Sequence, residues 1–352
     1  MARQALFVAL AVVLAAGCDS STTTQTHPRT TSTPTQAGGI TKGATGAAEV
    51  GPPVQPTGSF LALAGGGAAA RLYVVNAATG AVRLVARGVD PLEEPEWSPD
   101  GKQVLVVARR HGSDNALSLP AGGGPPVDLT PSKRDEFGAR WSPDGTQVAY
   151  LSRRRESDNY LYVLPAAGGN AQLVVRHADG LAWSPTGRLL AFAPGLDYPV
   201  PDLTLLAVPA AGGPIRSLGT GGTGERIQWG PANRILYEST GSLLSHPTYL
   251  WTPKRERSLG FVHDAQFLRD GTVVYGRGST IRFLYPKGAE RTADLPAPAD
   301  SLSWSWDGRY LAFASWSTGA LYVARGGGGG AQPLPVDLDL THLQVFGWQP
   351  AP

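Results

Sequence analysis

A chain of 352 residues, 42% hydrophobic and 16% charged, is long enough to bury a large core. Its formal net charge of +2 excludes the concentrated basic excess of a nucleic-acid binder. Its single cysteine, Cys18, excludes a disulfide framework.

The chain opens with Arg3, an apolar run from Ala5 to Leu14, and then Ala15-Ala16-Gly17-Cys18. The run is too short for a membrane span and reads as an export signal over residues 1–18. Small residues directly before a cysteine resemble the bacterial lipobox. That resemblance implies acylation of Cys18 and a lipoprotein held at the periplasmic face or the cell surface by its acyl chains. An ordinary signal peptide with an incidental cysteine is the competing reading. Residues 19–57 are Ser/Thr/Pro/Gly-rich with almost no large apolar side chain, a composition that cannot offset the entropy of ordering. They are expected to be a disordered tether.

From residue 58 the text becomes periodic. FLALA (60–64), RLYVV (71–75) and AVRLVA (81–86) predict three strands without an inner one. WSPDG then stands at 97–101 and again at 141–145, followed by WSPTG (183), WGPAN (229), FLRDG (267), WSWDG (304) and WQP (348). The aromatic positions lie 44, 42, 46, 38, 37 and 44 residues apart, a period that signals a repeat architecture. Within the first unit, Pro95-Glu96-Trp97 ends an inner strand and Ser98–Gly101 turns. Gln103–Val107 returns, RRHGSDN (109–115) reads as a polar loop, and Ala116–Leu119 and Val127–Leu129 complete four strands. VAYLS, RRRESDN, YLYVL, PAAGG and AQLVV repeat this in the second unit. Four strands per repeat predict an all-β propeller over 58–352. The fragment Leu343–Trp348 supplies the inner strand that the first three strands lack, which makes seven blades closed by both chain ends. Six blades is the alternative, because the units at 229 and 267 are the most degraded.

WSPDGTQVAYLS (141–152) and WSWDGRYLAFAS (304–315) resemble the TolB-type propeller repeat of bacterial envelope proteins. The resemblance implies a scaffold that binds partner proteins. TolB carries an α/β domain ahead of its propeller, which residues 19–57 are too short and too polar to supply. The same repeat occurs in propellers attached to prolyl-oligopeptidase-like enzymes, so it does not by itself assign an activity.

The chain carries no G-x-S-x-G elbow, and its Gly-rich stretches lack the lysine of a phosphate loop. Three to six residues before the aromatic markers stand Glu93, Glu94, Asp179, Glu225, His263, Asp264, Asp300 and His342, with His177 close by. This is where inner strands begin around a propeller channel. Such a ring could hold a divalent cation or serve a small-ligand enzyme resembling propeller lyases and lactonases. The bland reading is that these side chains bind local backbone N–H groups. No cofactor is otherwise expected. Convergence of Glu94, Asp179, His263 and Asp300 on one pocket would discriminate the two. Arg109, Arg110, Arg153, Arg154 and Arg155 occupy equivalent positions in adjacent units and would form a basic rim patch or a solvated loop. The repeat aspartates Asp100, Asp144, Asp270 and Asp307 are expected to build turns, and the repeat tryptophans to pack between blades. Trp306 and Trp316 fall outside the register and are expected to be exposed contacts. The leading functional expectation is a non-enzymatic, lipid-anchored, monomeric propeller that binds an envelope protein or peptide.

Overall fold

The computed structural model describes residues 54–350 apart from 67–68, 91–92, 156–157, 196–203, 221, 223, 240–245 and 341. The export signal, Cys18 and all but the end of the tether lie outside the described residues. The described chain forms seven four-stranded antiparallel sheets with no α-helix among them. It is a seven-bladed propeller. The degraded units at 229 and 267 each make a full blade, and the six-bladed alternative is set aside.

Counting from the amino-terminal side, the inner strands of blades one to seven are Gln344–Trp348, Glu96–Trp97, Glu136–Trp141, Ala178–Trp183, Gly224–Gly230, His263–Phe267 and Ser301–Trp304. Blade one joins the two chain ends: Gln344–Trp348 pairs antiparallel with Ser59–Ala64, which continues to Arg71–Asn76 and Val82–Arg87. Packing reaches back to Val54, which is 5% exposed and whose carbonyl accepts a bond from Gln332 Nε2 at 2.8 Å.

Strand alternation builds the core. In Ser59–Ala64, Phe60, Ala62 and Ala64 face blade seven, while Leu61 and Leu63 face blade two. The same two-sided pattern recurs in the other blades, so the buried residues divide into seven clusters, one per blade interface. The repeat tryptophans complete these interfaces. Trp97 Nε1 donates to Gly347 O (2.8 Å), Trp183 Nε1 to Arg140 O (3.1 Å) and Trp348 Nε1 to Ser303 O (3.0 Å), each reaching the inner strand of the preceding blade.

The repeat aspartates hold turns. Asp100 Oδ1 accepts Ser98 Oγ (2.6 Å) and Lys102 N (3.0 Å), and Asp144 Oδ1 accepts Ser142 Oγ (2.6 Å) and Thr146 N (3.0 Å). Gly101 and Gly145 close these hairpins at φ +68° and +71°, where a side chain would be strained. The loop expected at 109–115 is instead strand: Gln103–Arg110 and Ser113–Pro120 pair to their ends, joined by His111-Gly112 at φ +49° and +96°. Two left-handed residues in succession form a tight hairpin turn that tolerates polar sequence in the flanking strands.

Replacing Trp348 by Ala removes the indole that stacks on Tyr310, contacts Phe60 and bonds Ser303, and should cost about 3–5 kcal/mol in chemical denaturation. Asp144→Ala, which loses only turn bonds, should cost about 1 kcal/mol in the same measurement.

Candidate functional site

Antiparallel order gives the ring two different ends. Inner strands start at the end that also carries the links between second and third strands, here called the entry face. The repeat turns lie at the opposite, exit face. A central cavity of about 550 Å³ runs along the inner strands of blades five, six, seven and one. At its entry end stand Glu94, Arg226, Glu238, His263, Asp264 and Asp300, with Trp316 beside them. At its exit end stand Trp306 and Phe346, together with Trp304 and Trp348, which are buried between blades.

A repeated backbone irregularity marks the entry end of four inner strands. Three residues before the aromatic marker, blades three to six place a left-handed residue within a register shift: Gly138 (φ +59°), Gly180 (+60°), Arg226 (+47°) and Asp264 (+49°). Two blades fill this bulge with glycine. The other two carry a charged side chain on backbone that costs a non-glycine residue about 1–2 kcal/mol. Strain of this kind gathers at functional sites.

The charges are tied into the scaffold. Gly138 N–H donates to Glu93 Oε2 (2.7 Å), Trp141 N–H to Glu96 Oε2 (3.0 Å) and Leu302 N–H to Asp264 Oδ2 (2.7 Å), each bond crossing to the next blade. Gln228 and Gln266, at the register of Glu96, do the same with their amides, to Ala265 O (2.8 Å) and Trp304 O (3.3 Å). Asp300 Oδ2 accepts Trp316 N–H (2.6 Å) within its own blade. Glu94 Oε2 pairs with Arg140 at 3.1 Å, and Glu94 Oε1 with Arg226 at 3.6 Å. Arg226 also lies 3.8 Å from Glu238. Glu94 belongs to blade two and Arg226 to blade five, so their pair spans the channel.

Of the four discriminating residues, Glu94, His263 and Asp300 line the cavity and Asp179 does not. Asp179 accepts a bond from Asn159 in the neighbouring blade. His342 lies edge-on to Trp316 at 5.7 Å, and His177 Nδ1 sits 2.8 Å from Asp158. The side chain of Glu225 lies outside the described residues; its backbone pairs with Glu238. Among the described residues, no group of three or more His, Cys, Asp or Glu side chains is arranged to hold a metal ion. Glu96, Arg226 and Glu238 were not singled out from sequence. Arg226 is basic at a register otherwise marked by acids and imidazoles, Glu96 sits inside the strand, and Glu238 comes from a second strand. The signal available was the replacement of a bulge glycine by Arg226 and Asp264.

Three of the five rim arginines are engaged. Arg109 pairs with Asp114 (3.3 Å) and Asp135 (3.5 Å), Arg153 lies over Phe137, and Arg154 over Tyr160 and Tyr162. Arg110 and Arg155 are exposed. Trp306 and Trp316 are exposed by 55% and 47%, in keeping with their place outside the repeat register.

A family model described as the TolB beta propeller domain matches residues 46–246. The chain belongs to the TolB β-propeller domain family. No curated protein matches its sequence. Among solved structures, an oligogalacturonate lyase in complex with manganese is similar at 17% identity and TM-score 0.55, over 78% of this chain and 85% of that one. An oligogalacturonate lyase from Vibrio parahaemolyticus is similar at 15% identity and TM-score 0.55, over 81% and 90%. TolB from Acinetobacter baumannii is similar at 13% identity and TM-score 0.47, over 82% of each chain. At such identities the likeness is one of fold. No helix among the described residues of this TolB-type propeller is long and apolar enough to cross a membrane.

Burial pushes the Glu96 and Asp264 carboxyls up to about 7, against the bonds from Trp141 and Leu302 that favour the charged forms. The unfolded chain titrates them near 4.5 and 3.8, so between those values and about 7 the folded state binds more protons. Their contribution to stability is full at the acid end of this window and is lost as pH rises through about 7. Asp100 and Asp144 act oppositely. Bonds from Ser98 and Ser142 lower their carboxyls, so they stabilise above the usual carboxylate range and lose this as pH falls. Glu96→Gln combined with Asp264→Asn should flatten the decline in melting temperature between pH 5 and 8 and leave the acid limb unchanged.

Proposed function

We propose that this TolB-type propeller is a non-enzymatic, exported, lipid-anchored module that binds a peptide segment of an envelope protein at the entry mouth of its channel. The observation that carries this reading is the state of the mouth. Its carboxylates are held by backbone N–H groups and cross-channel ion pairs, while the Trp316 indole remains 47% exposed beside Asp300. Rigid polar groups around an exposed tryptophan suit the recognition of a chain, in which a few buried aromatic contacts carry most of the affinity. Family membership supports the same reading. The export signal and Cys18 supply the location, and the Ser/Thr/Pro/Gly segment after Cys18 supplies reach from the membrane surface.

Cys18→Ser should move the protein from the membrane pellet to the soluble fraction, and protease accessibility of whole cells should then report the face on which it stood. A photo-crosslinker at His263 should trap a reproducible envelope partner. Trp316→Ala should reduce that capture about tenfold, with folding checked by thermal melting because the indole also bonds Leu343 O.

A second reading, a small-ligand propeller enzyme resembling lyases or lactonases, draws on Glu96 and Asp264. Carboxyls at about 7 are half protonated at neutral pH, as proton transfer requires. Calorimetric titration with Mn²⁺, Ca²⁺ and Zn²⁺ separates the readings: saturable heat lost in His263→Ala would favour the enzyme, and its absence at millimolar metal favours the binding module.

A further inference from the structure

We infer that the exit face of blades five to seven is a docking surface for a bilayer containing anionic lipid. The inference rests on the exported, lipid-anchored reading above and adds which side of the ring meets the membrane. Its first support is a run of departures from the repeat. The second residue after the aromatic marker is proline in five blades: Pro99, Pro143, Pro185, Pro231 and Pro350. In blades six and seven it is Arg269 and Trp306. These two are adjacent, since Arg269 N–H donates to Trp306 O at 3.1 Å, and both are exposed, Trp306 by 55%. The turn between third and fourth strands departs in blade six as well. It begins with Pro120, Pro165 and Pro209 in blades two to four, but with exposed Tyr285 in blade six. The Arg269 and Tyr285 turns adjoin, because a Cβ on Gly271 would stand 3.7 Å from Pro286. Tryptophan and tyrosine rings flanked by basic side chains suit the boundary between headgroups and acyl chains.

The second support is charge. The exit turns of blades five to seven (231–234, 252–257, 268–272, 285–291, 305–309 and 325–331) carry nine Lys or Arg against four Asp or Glu. Those of blades two to four (98–103, 120–127, 142–147, 165–172, 184–189 and 209–216) carry three against two. All four acids of the first group are engaged. Asp307 pairs with Arg309 (3.4 Å) and Glu290 with Arg257 (2.7 Å), Glu256 accepts the Tyr237 hydroxyl, and Asp270 accepts Thr272 N–H. Arg234 and Arg291 bond the carbonyls of Gly271 and Gly327. Lys254, Arg255, Arg269 and Lys287 are exposed and form no ion pair among the described residues. Such cations attract an anionic leaflet.

The third support is where the chain joins the ring. Val54 packs between blades seven and one, and its carbonyl takes Gln332 Nε2 at the exit-side start of the outer strand of blade seven. Strand Ser59–Ala64 also starts at the exit face, where Ser59 O accepts Gln349 N–H (2.8 Å). Residues 19–53 separate Cys18 from Val54. A segment of that length and composition has an end-to-end distance on the order of 30 Å. An acyl group on Cys18 thus favours contact of the exit face with the bilayer and leaves the entry mouth turned outward, toward a partner.

The test uses the mature Cys18→Ser protein, which has no acyl chain and whose ring closes within residues 54–350. It is sedimented with vesicles of phosphatidylcholine alone and of an equimolar mixture with phosphatidylglycerol. It should bind the mixed vesicles only, and added salt should release it. Lys287→Gln should weaken partitioning about fivefold. Trp306→Pro, which restores the residue of the repeat, should weaken it roughly threefold or more and reduce quenching by brominated lipid. Phe261→Ala, at a residue 61% exposed on the entry-side link into blade six, should leave binding unchanged. Thermal melting checks the folding of each variant. Absent binding, equal binding to both vesicles, no effect of Trp306→Pro and Lys287→Gln, or loss in Phe261→Ala would each overturn the inference. So would a photo-crosslinker at Lys287 that traps a protein in cells in place of lipid. Membrane retention of the wild-type chain that is lost in Cys18→Ser would then leave the anchored reading standing without the docking face.

Discussion

Everything in this molecule depends on how one inner strand grips the next. Hydrogen bonds within a sheet cannot do it, because each blade is a separate four-stranded sheet. The join is made by apolar side chains of alternating strand residues and by side chains that reach the neighbouring main chain. Trp348 bonds the carbonyl of Ser303, Asp264 takes the N–H of Leu302, and the Ser301 hydroxyl accepts the Val345 N–H at 3.0 Å. Blade one then ties the ring shut by pairing strands from opposite chain ends, which leaves no inner strand unsupported.

The same grip decides the chemistry of the channel. A carboxylate at the inner register is well placed to bond its neighbour, but in that position it is buried and shifted toward neutrality. Glu96 and Asp264 therefore serve two ends at once, holding blades together and lowering the charge of a crowded cavity. Arg226 meets Glu94 across the channel from a left-handed bulge in its own inner strand. The mouth thus takes part of its lining, Arg226 and Asp264, from irregular strand positions.

Blades differ most where they are least constrained. The turn at the exit face recurs because Ser142, Asp144 and Gly145 form a self-contained unit, needing no partner outside five residues. The entry face has no such unit. Asp179 bonds Asn159, His342 packs on Trp316, and Arg153 lies over Phe137, each solving a local problem set by a different neighbour. Reading across the repeats at constant register therefore gathers residues with unlike surroundings. Three of the four residues chosen to discriminate the readings share one cavity, and the fourth is spent in a blade contact.

The all-β class, the strand period, the turn role of the repeat aspartates, the interface role of the tryptophans and the closure of the ring were legible in the sequence. Each depends on contacts within a few residues or on a pattern copied seven times. The convergence of Glu94 with Arg226, the participation of Glu96 and Glu238, and the capture of Arg153 and Arg154 by aromatic rings were decided only by the tertiary structure. Those contacts join residues with no fixed spacing: Glu94 and Arg226 belong to blades on opposite sides of the channel, and only closure of the ring brings them within 3.6 Å. The alternating apolar pattern specifies that a ring forms. Which charges face one another inside it depends on the number of blades, on which inner strands carry a bulge and on the side chain that each bulge carries.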